Sequence, residues 1–267
     1  MRAIDTHCHA SPYWFEPIEV MIHQMELNSV EKSLLVQFFG VYDNDYLIQQ
    51  AETYPQKFRV AGLVDHTKNH AKEDIENLSS RGVQAIRFTA DTKSPGADPY
   101  HIWKCAESVG MTATVMGAAE HYADEYFETV IQTCSNLQFV IEHLGGVGAF
   151  FGPGRPSSDI PYEVYKKTLT LAKYENVAIK MTGLGEFCER PRPLPQPMPF
   201  LEIPPVIEMA LEAFGTSRVM WGSDYPPVSA REGYRNSLSF PYDYLNLTSE
   251  EKDKIFYTNA IKYWGFK

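Results

Sequence analysis

Eight short apolar runs, each followed by an amphipathic segment, predict one closed (β/α)8 barrel of the TIM type. Two further observations support it. The chain has 267 residues, an ordinary size for such a barrel. No Gly/Ser-rich or charge-run stretch divides it, so a single barrel domain is expected over residues 1–267. The competing open, doubly wound sheet lacks a GxGxxG or GxxxxGK[ST] loop after any strand.

The strands are expected at 3–5, 33–36, 60–63, 85–88, 112–116, 139–142, 177–181 and 219–221. The helices are expected at 17–28, 45–54, 71–81, 102–109, 123–135, 162–173, 203–213 and 250–261. Within the fifth, Tyr126, Phe127, Val130, Ile131 and Cys134 recur at helical spacing and should face the core. Gly82, Gly110 and Gly215 stand where helices should stop before the next strand. The long connections 144–161, 182–199 and 224–247 follow strands 6, 7 and 8. In a barrel those are βα loops, which build the active-site face. The run 190–199 carries a proline at every second position and should form a stiff, extended rim.

The formal net charge of −10 argues against a basic nucleic-acid footprint, while local arginines can still receive an anionic small molecule. No apolar run has the length of a membrane span. Cys8, Cys105, Cys134 and Cys188 show no CxxC pairing, and the start Met-Arg-Ala-Ile-Asp lacks a signal peptide's pattern. Reduced thiols and a cytoplasmic location are therefore expected. A homo-oligomer is compatible with the sequence but not specified by it.

The chemistry-bearing residues end strands. Ile4-Asp5-Thr6-His7-Cys8-His9 places two histidines at i and i+2, on one face of an extended run. His143 ends strand 6 before Gly145-Gly146, and Asp224 ends strand 8 before Tyr225-Pro226-Pro227. Closing the barrel sets strand 8 beside strand 1, which brings Asp224 next to His7 and His9. Such a trio can hold a divalent ion or act directly on a carbonyl.

With Asp-Thr-His-Cys-His, Glu-His-Leu-Gly-Gly and Trp-Gly-Ser-Asp-Tyr-Pro in place, the chain resembles the amidohydrolase superfamily, in its amidohydrolase-related (family 2) branch. Members of that branch are barrel hydrolases, lactonases, decarboxylases and hydratases. The resemblance implies that His7, His9 and Asp224 form the centre of the site, with His143 facing them. It departs from metal-bearing members in two places. Strand 5 ends at Met116 without a histidine, although His121 follows in a loop from which it could reach inward, and strand 4 carries no lysine to carboxylate. The pattern is most similar to the lactonase group, which includes metal-independent enzymes. Two cases follow: one divalent ion, zinc by ligand chemistry, held by His7, His9 and Asp224, or catalysis without metal.

Arg87, near the end of strand 4, is expected to clamp a substrate carboxylate in a bidentate fork. Lys180, inside the apolar strand 7, is a second candidate for substrate binding and needs a partner if buried. Arg155, Arg190, Arg192 and Arg231 on the long loops are further anion-binding candidates. The reading is a hydrolase of a small carboxylated lactone, with Asp224 as general base and His7, His9 and His143 polarising the carbonyl. The alternatives are a metal-dependent decarboxylase or hydratase of an aromatic or dienoic acid, and a barrel that binds a metabolite without catalysis.

Overall fold

The computed structural model describes residues 1–148, 157–190, 200 and 202–267. The proline run 191–199, Arg155 and Arg192 lie outside the described residues. Eight strands form one parallel sheet in sequential order: β1 (Ala3–Cys8), β2 (Val30–Val36), β3 (Phe58–Gly62), β4 (Ala85–Thr89), β5 (Thr112–Met116), β6 (Gln138–Ile141), β7 (Val177–Met181) and β8 (Val219–Trp221). Helices cover its outside, and the large outer core includes Trp103, Phe127, Phe139 and Trp221. The fold is the expected (β/α)8 barrel. Gly82, Gly110 and Gly215 all stand just past helices with φ between 65° and 79°.

The barrel closes between β1 and β8 by a few specific bonds. Asp224 N–H donates to the His7 carbonyl at 2.8 Å, and His9 N–H donates to the Tyr225 carbonyl at 2.7 Å. Thr6 Oγ1 donates to the Trp221 carbonyl at 2.7 Å. Gly222 permits the approach: a Cβ there would lie 2.6 Å from the His7 Cβ. Asp5 adds a buried side-chain tie. Its carboxylate accepts from Ser223 N–H at 2.9 Å, the Ser223 hydroxyl at 2.6 Å and the Tyr234 hydroxyl at 3.1 Å.

Two expectations are corrected. The stretch 224–247 is not an open loop: it contains a 3-10 turn, Pro227–Ala230, and a helix, Tyr234–Tyr244, anchored by buried Tyr234 and Leu238. The last predicted helix is divided into Ser249–Asp253, a π-helical turn Lys254–Thr258, and Asn259–Trp264. This C-terminal stretch covers the N-terminal end of the barrel. Tyr257, Ala260, Tyr263, Trp264 and Phe266 pack against Ile4, Leu34, Val36, Ala61, Ala85, Val140, Ala178 and Met220.

Candidate active site

Strand periodicity builds the site in layers. Along β4 and β7, and from β6 into its loop, an apolar inward residue is followed two positions later by a charged one: Ala85 and Arg87, Ala178 and Lys180, Val140 and Glu142. The charged members lie at the C-terminal mouth. In β1 the alternation is broken by a register shift between Asp5 and Cys8. That shift lets Ile4 and His7, three residues apart, both face the barrel interior.

His7, His9, His143 and Asp224 converge. The His7 ring centroid lies 5.0 Å from that of His9 and 4.8 Å from that of His143. Asp224 Oδ1 is 3.5 Å from His9 Nε2 and 3.9 Å from His7 Nε2. All four residues are buried. His143 and Asp224 also adopt left-handed backbone, with φ of 51° and 56°. Non-glycine residues in that region cost about 1–3 kcal/mol each, and such strain clusters at functional sites.

Each group has a defined electrostatic setting. Burial, aided by the positive charge of Lys180, keeps His7 neutral, with its pKa well below the ordinary imidazole value. His143 moves the other way. Burial opposes its charge, but Glu186 Oε1, 2.9 Å from Nδ1, outweighs that and raises the pKa. For Asp224, burial favours the neutral acid. The contact with His9 and the charges of His143 and Arg231 overcome it and hold the carboxyl below its usual range.

Arg87 does not present an open fork. Its Nε lies 3.2 Å from both Glu142 oxygens, its Nη2 donates to Glu142 Oε2 at 2.7 Å, and its Nη1 donates to the Gln37 carbonyl at 2.9 Å. The expected substrate clamp is thus turned onto a barrel acid, because two opposite charges buried side by side satisfy each other. Burial raises the Glu142 pKa, but Arg87 and Lys180 prevail and push it down to about 2. Lys180 lies beneath His7. Its Nζ donates to Thr114 Oγ1 at 3.0 Å, is 3.4 Å from His7 Nδ1, and rests 4.8 Å from the Trp264 ring centroid. Burial above all lowers its pKa to about 8.

His121 stays outside the site, half-exposed and 4.0 Å from Asp91. Arg231 is the opposite case, a loop arginine whose side chain is only 2 % exposed and packed against acids. Glu142, Glu186 and Glu232 join the site without being candidates from the sequence, where Glu142 stands only as part of the Glu-His-Leu-Gly-Gly motif. Glu142 precedes His143 directly, and Glu186 follows Gly183-Leu184-Gly185 just beyond β7. Those positions at strand ends were the available signal.

The donor set suits a divalent ion. Ligand atoms of His7, His9 and Asp224 all lie within 4.8 Å of one another. His9 Nδ1–H donates to the Val36 carbonyl at 2.7 Å, so a neutral ring turns the Nε2 lone pair toward Asp224 Oδ1. Two acceptors facing each other call for a proton or a cation between them. Among the described residues, His7 Nε2 is buried without a hydrogen-bond partner. Three such ligands leave a fourth position for water, an arrangement sufficient for zinc.

Beside these polar groups stands an aromatic wall. Phe15 stacks on His9 at 5.9 Å between centroids, and Phe38 meets Phe15 edge-on at 5.4 Å. Tyr13 and Trp14 continue it into solvent.

Residues 4–266 match the amidohydrolase family model, and the chain belongs to that family of enzymes. It is 24% identical over 271 residues to 4-sulfomuconolactone hydrolase of Rhizobium radiobacter, covering 93% of this chain and 80% of that protein. Solved structures share the fold. A probable 2-pyrone-4,6-dicarboxylic acid hydrolase from Acinetobacter baumannii, with citric acid bound, superposes with a TM-score of 0.71 at 18% identity, covering 100% of both chains. An amidohydrolase from Burkholderia multivorans with bound zinc superposes with a TM-score of 0.80 at 16% identity, also covering 100% of both.

Among the described residues, no helix is long and apolar enough to cross a membrane.

Proposed function

We propose that this enzyme hydrolyses a small anionic lactone, with Asp224 as the general base. The observation that carries the reading is the convergence of an ionised Asp224 with His7, His9 and His143 where the barrel closes. The lactone hydrolase of Rhizobium radiobacter is the supporting relative. Asp224 accepts a proton from water as its oxygen bonds to the lactone carbonyl carbon. The tetrahedral oxyanion is met by His143, whose raised pKa favours the proton-bearing form. The ring C–O bond then breaks, and Asp224 returns the proton to the leaving oxygen. The products are the acid and the freed hydroxyl.

His7, His9 and Asp224 are the residues that would hold a divalent ion, which when bound supplies Lewis acidity toward water or carbonyl. Neutral His7 keeps a ring nitrogen free to coordinate or to orient water. Arg87 and Lys180 contribute fixed positive charge from below, which favours an anionic substrate without a direct clamp. The Phe15 and Phe38 wall supplies an apolar surface for the substrate ring.

The test is turnover of a panel that includes 4-sulfomuconolactone, 2-pyrone-4,6-dicarboxylate and aromatic acids, with proton and CO2 release followed separately. Proton release on ring opening, abolished in Asp224→Asn with an unchanged circular dichroism spectrum, is expected. Metal content should be about one ion per chain, with turnover lost on chelation. CO2 release from an aromatic acid, or near-normal turnover in Asp224→Asn, overturns the assignment.

A further inference from the structure

We propose that Arg231 is a positioning residue that sets the orientation of Asp224 and locks it to the His143–Glu186 pair. The inference rests on Asp224 acting as the base. The turn Pro227–Ala230 folds the chain back so that Arg231, seven residues after Asp224, comes to lie behind that carboxylate. Val228 N–H donates to the Asp224 carbonyl at 2.9 Å, and Arg231 N–H donates to the Val228 carbonyl at 3.0 Å. The backbone of the turn therefore ties the two residues together before their side chains meet.

The side chains then share one buried guanidinium. Arg231 Nη2 lies 3.1 Å from Asp224 Oδ2 and 3.7 Å from Glu186 Oε2. Glu186 uses its other oxygen, Oε1, on His143 Nδ1 at 2.9 Å. On the far side, Arg231 Nε is 3.9 Å from Glu232 Oε2. A continuous chain of charge runs from His143 through Glu186 and Arg231 to Asp224.

This geometry assigns the two oxygens of Asp224 to different tasks. Oδ2 is held by Arg231, and Oδ1 faces His9 and His7. A carboxylate free to rotate would not keep one oxygen toward the histidines. Arg231 is also buried, its side chain 2 % exposed. The Glu232 carboxylate beside it fits against Gly183 and Gly185, where a Cβ at either glycine would lie 1.9 Å from a Glu232 oxygen. One guanidinium nitrogen, Nη2, faces both Asp224 and Glu186, held there by a planar group, whereas a lysine would bring a more freely rotating point charge.

The experiment compares Arg231→Met and Arg231→Lys with the wild type, using the lactone the wild type turns over. Arg231→Met should lower kcat about 100-fold with KM nearly unchanged, as misplacement of a reacting group does. Millimolar guanidinium should restore part of that loss. Arg231→Lys should fold and retain an intermediate kcat. A crystal structure of either variant should show the Asp224 carboxylate rotated away from His9, a readout that needs no turnover. A raised KM at constant kcat would make Arg231 a substrate-binding residue and overturn the proposal. An unrotated Asp224, or wild-type kcat in Arg231→Lys, would overturn it too. If Asp224→Asn stays active, the base assignment itself has failed. If Asp224→Asn is dead while both Arg231 variants behave as wild type, only the positioning role has failed.

Discussion

At the mouth of the barrel, Glu142, Lys180, Arg87, His7 and Asp224 are packed together without water-facing area to spare. At the opposite end, Tyr257, Tyr263, Trp264 and Phe266 fill the barrel with apolar surface. The same strands supply both ends: Ala85, Val140 and Ala178 lie in the apolar layer, and Arg87, Glu142 and Lys180 lie two residues further on. The bottom thus gains stability by removing apolar area from water, at roughly 25 cal/mol per Å2. The mouth buries charges whose desolvation nearly cancels their attraction. The difference teaches that broken pairs at the mouth should reach catalysis and pH response as well as stability, and losses at the bottom stability alone.

Glu142→Gln is the change expected to have the largest effect, because it strikes both properties. It removes the negative charge that faces Arg87 and leaves one acceptor oxygen where Arg87 and Thr114 Oγ1, the latter at 2.7 Å, now share two. Breaking a buried pair costs about 3–5 kcal/mol, read by urea denaturation. The pH dependence has a definite sign. Glu142 is pushed down to about 2 in the folded protein from an ordinary carboxyl value of 4.5. Its contribution is therefore fully present above pH 4.5 and is lost as pH falls toward 2. The wild type should lose stability across that window, and the variant should show a flatter profile there. A variant as stable as the wild type, with the same acid limb, would place the mouth's ion pair outside the energetics of folding.

Trp264→Ala tests the other end. The indole is fully buried beneath Lys180 and within the apolar plug. Truncation of a buried aromatic costs about 3–5 kcal/mol. Denaturation should register that loss, while kcat of the folded fraction should change less than about threefold, well under one decade in rate. A kcat loss as deep as that of a mouth variant would show that the two ends are mechanically one, coupled through Lys180 to His7.

The barrel was legible because its signal is periodic: each strand is a short apolar run, and each helix shows a stripe. The convergence of Asp224 with His7 was legible for a related reason, since closure of eight strands dictates the neighbour of the first. Pairing among charges was not legible. Arg87 looked available because sequence gives the direction of a side chain but not what meets it from strands further along; Glu142 is 55 residues distant. Arg231 was indistinguishable from a solvated loop arginine until the turn at Pro227–Ala230 folded it inward. The register shift in β1 escaped too. Strict alternation puts His7 on the face opposite Ile4, and only the bulge reconciles them.

The smallest effect belongs to Thr248, which opens the C-terminal stretch that plugs the bottom. Its side chain accepts from Glu251 N–H at 3.3 Å, and Glu251 Oε2 accepts from Thr248 N–H at 2.9 Å, a reciprocal capping box. Thr248→Ala removes one half of that exchange at an exposed helix start. The expected cost is about 1 kcal/mol. In a chain of this size that lowers Tm by about 2 °C, measurable by differential scanning calorimetry. Turnover should be untouched, because the cap stands at the end of the barrel remote from Asp224. The value grades the comparison. A loss near that of Trp264→Ala would mean that the plug docks only when its first turn is formed. No loss at all would mean that packing of Trp264 and Tyr263 holds the stretch without help from its cap.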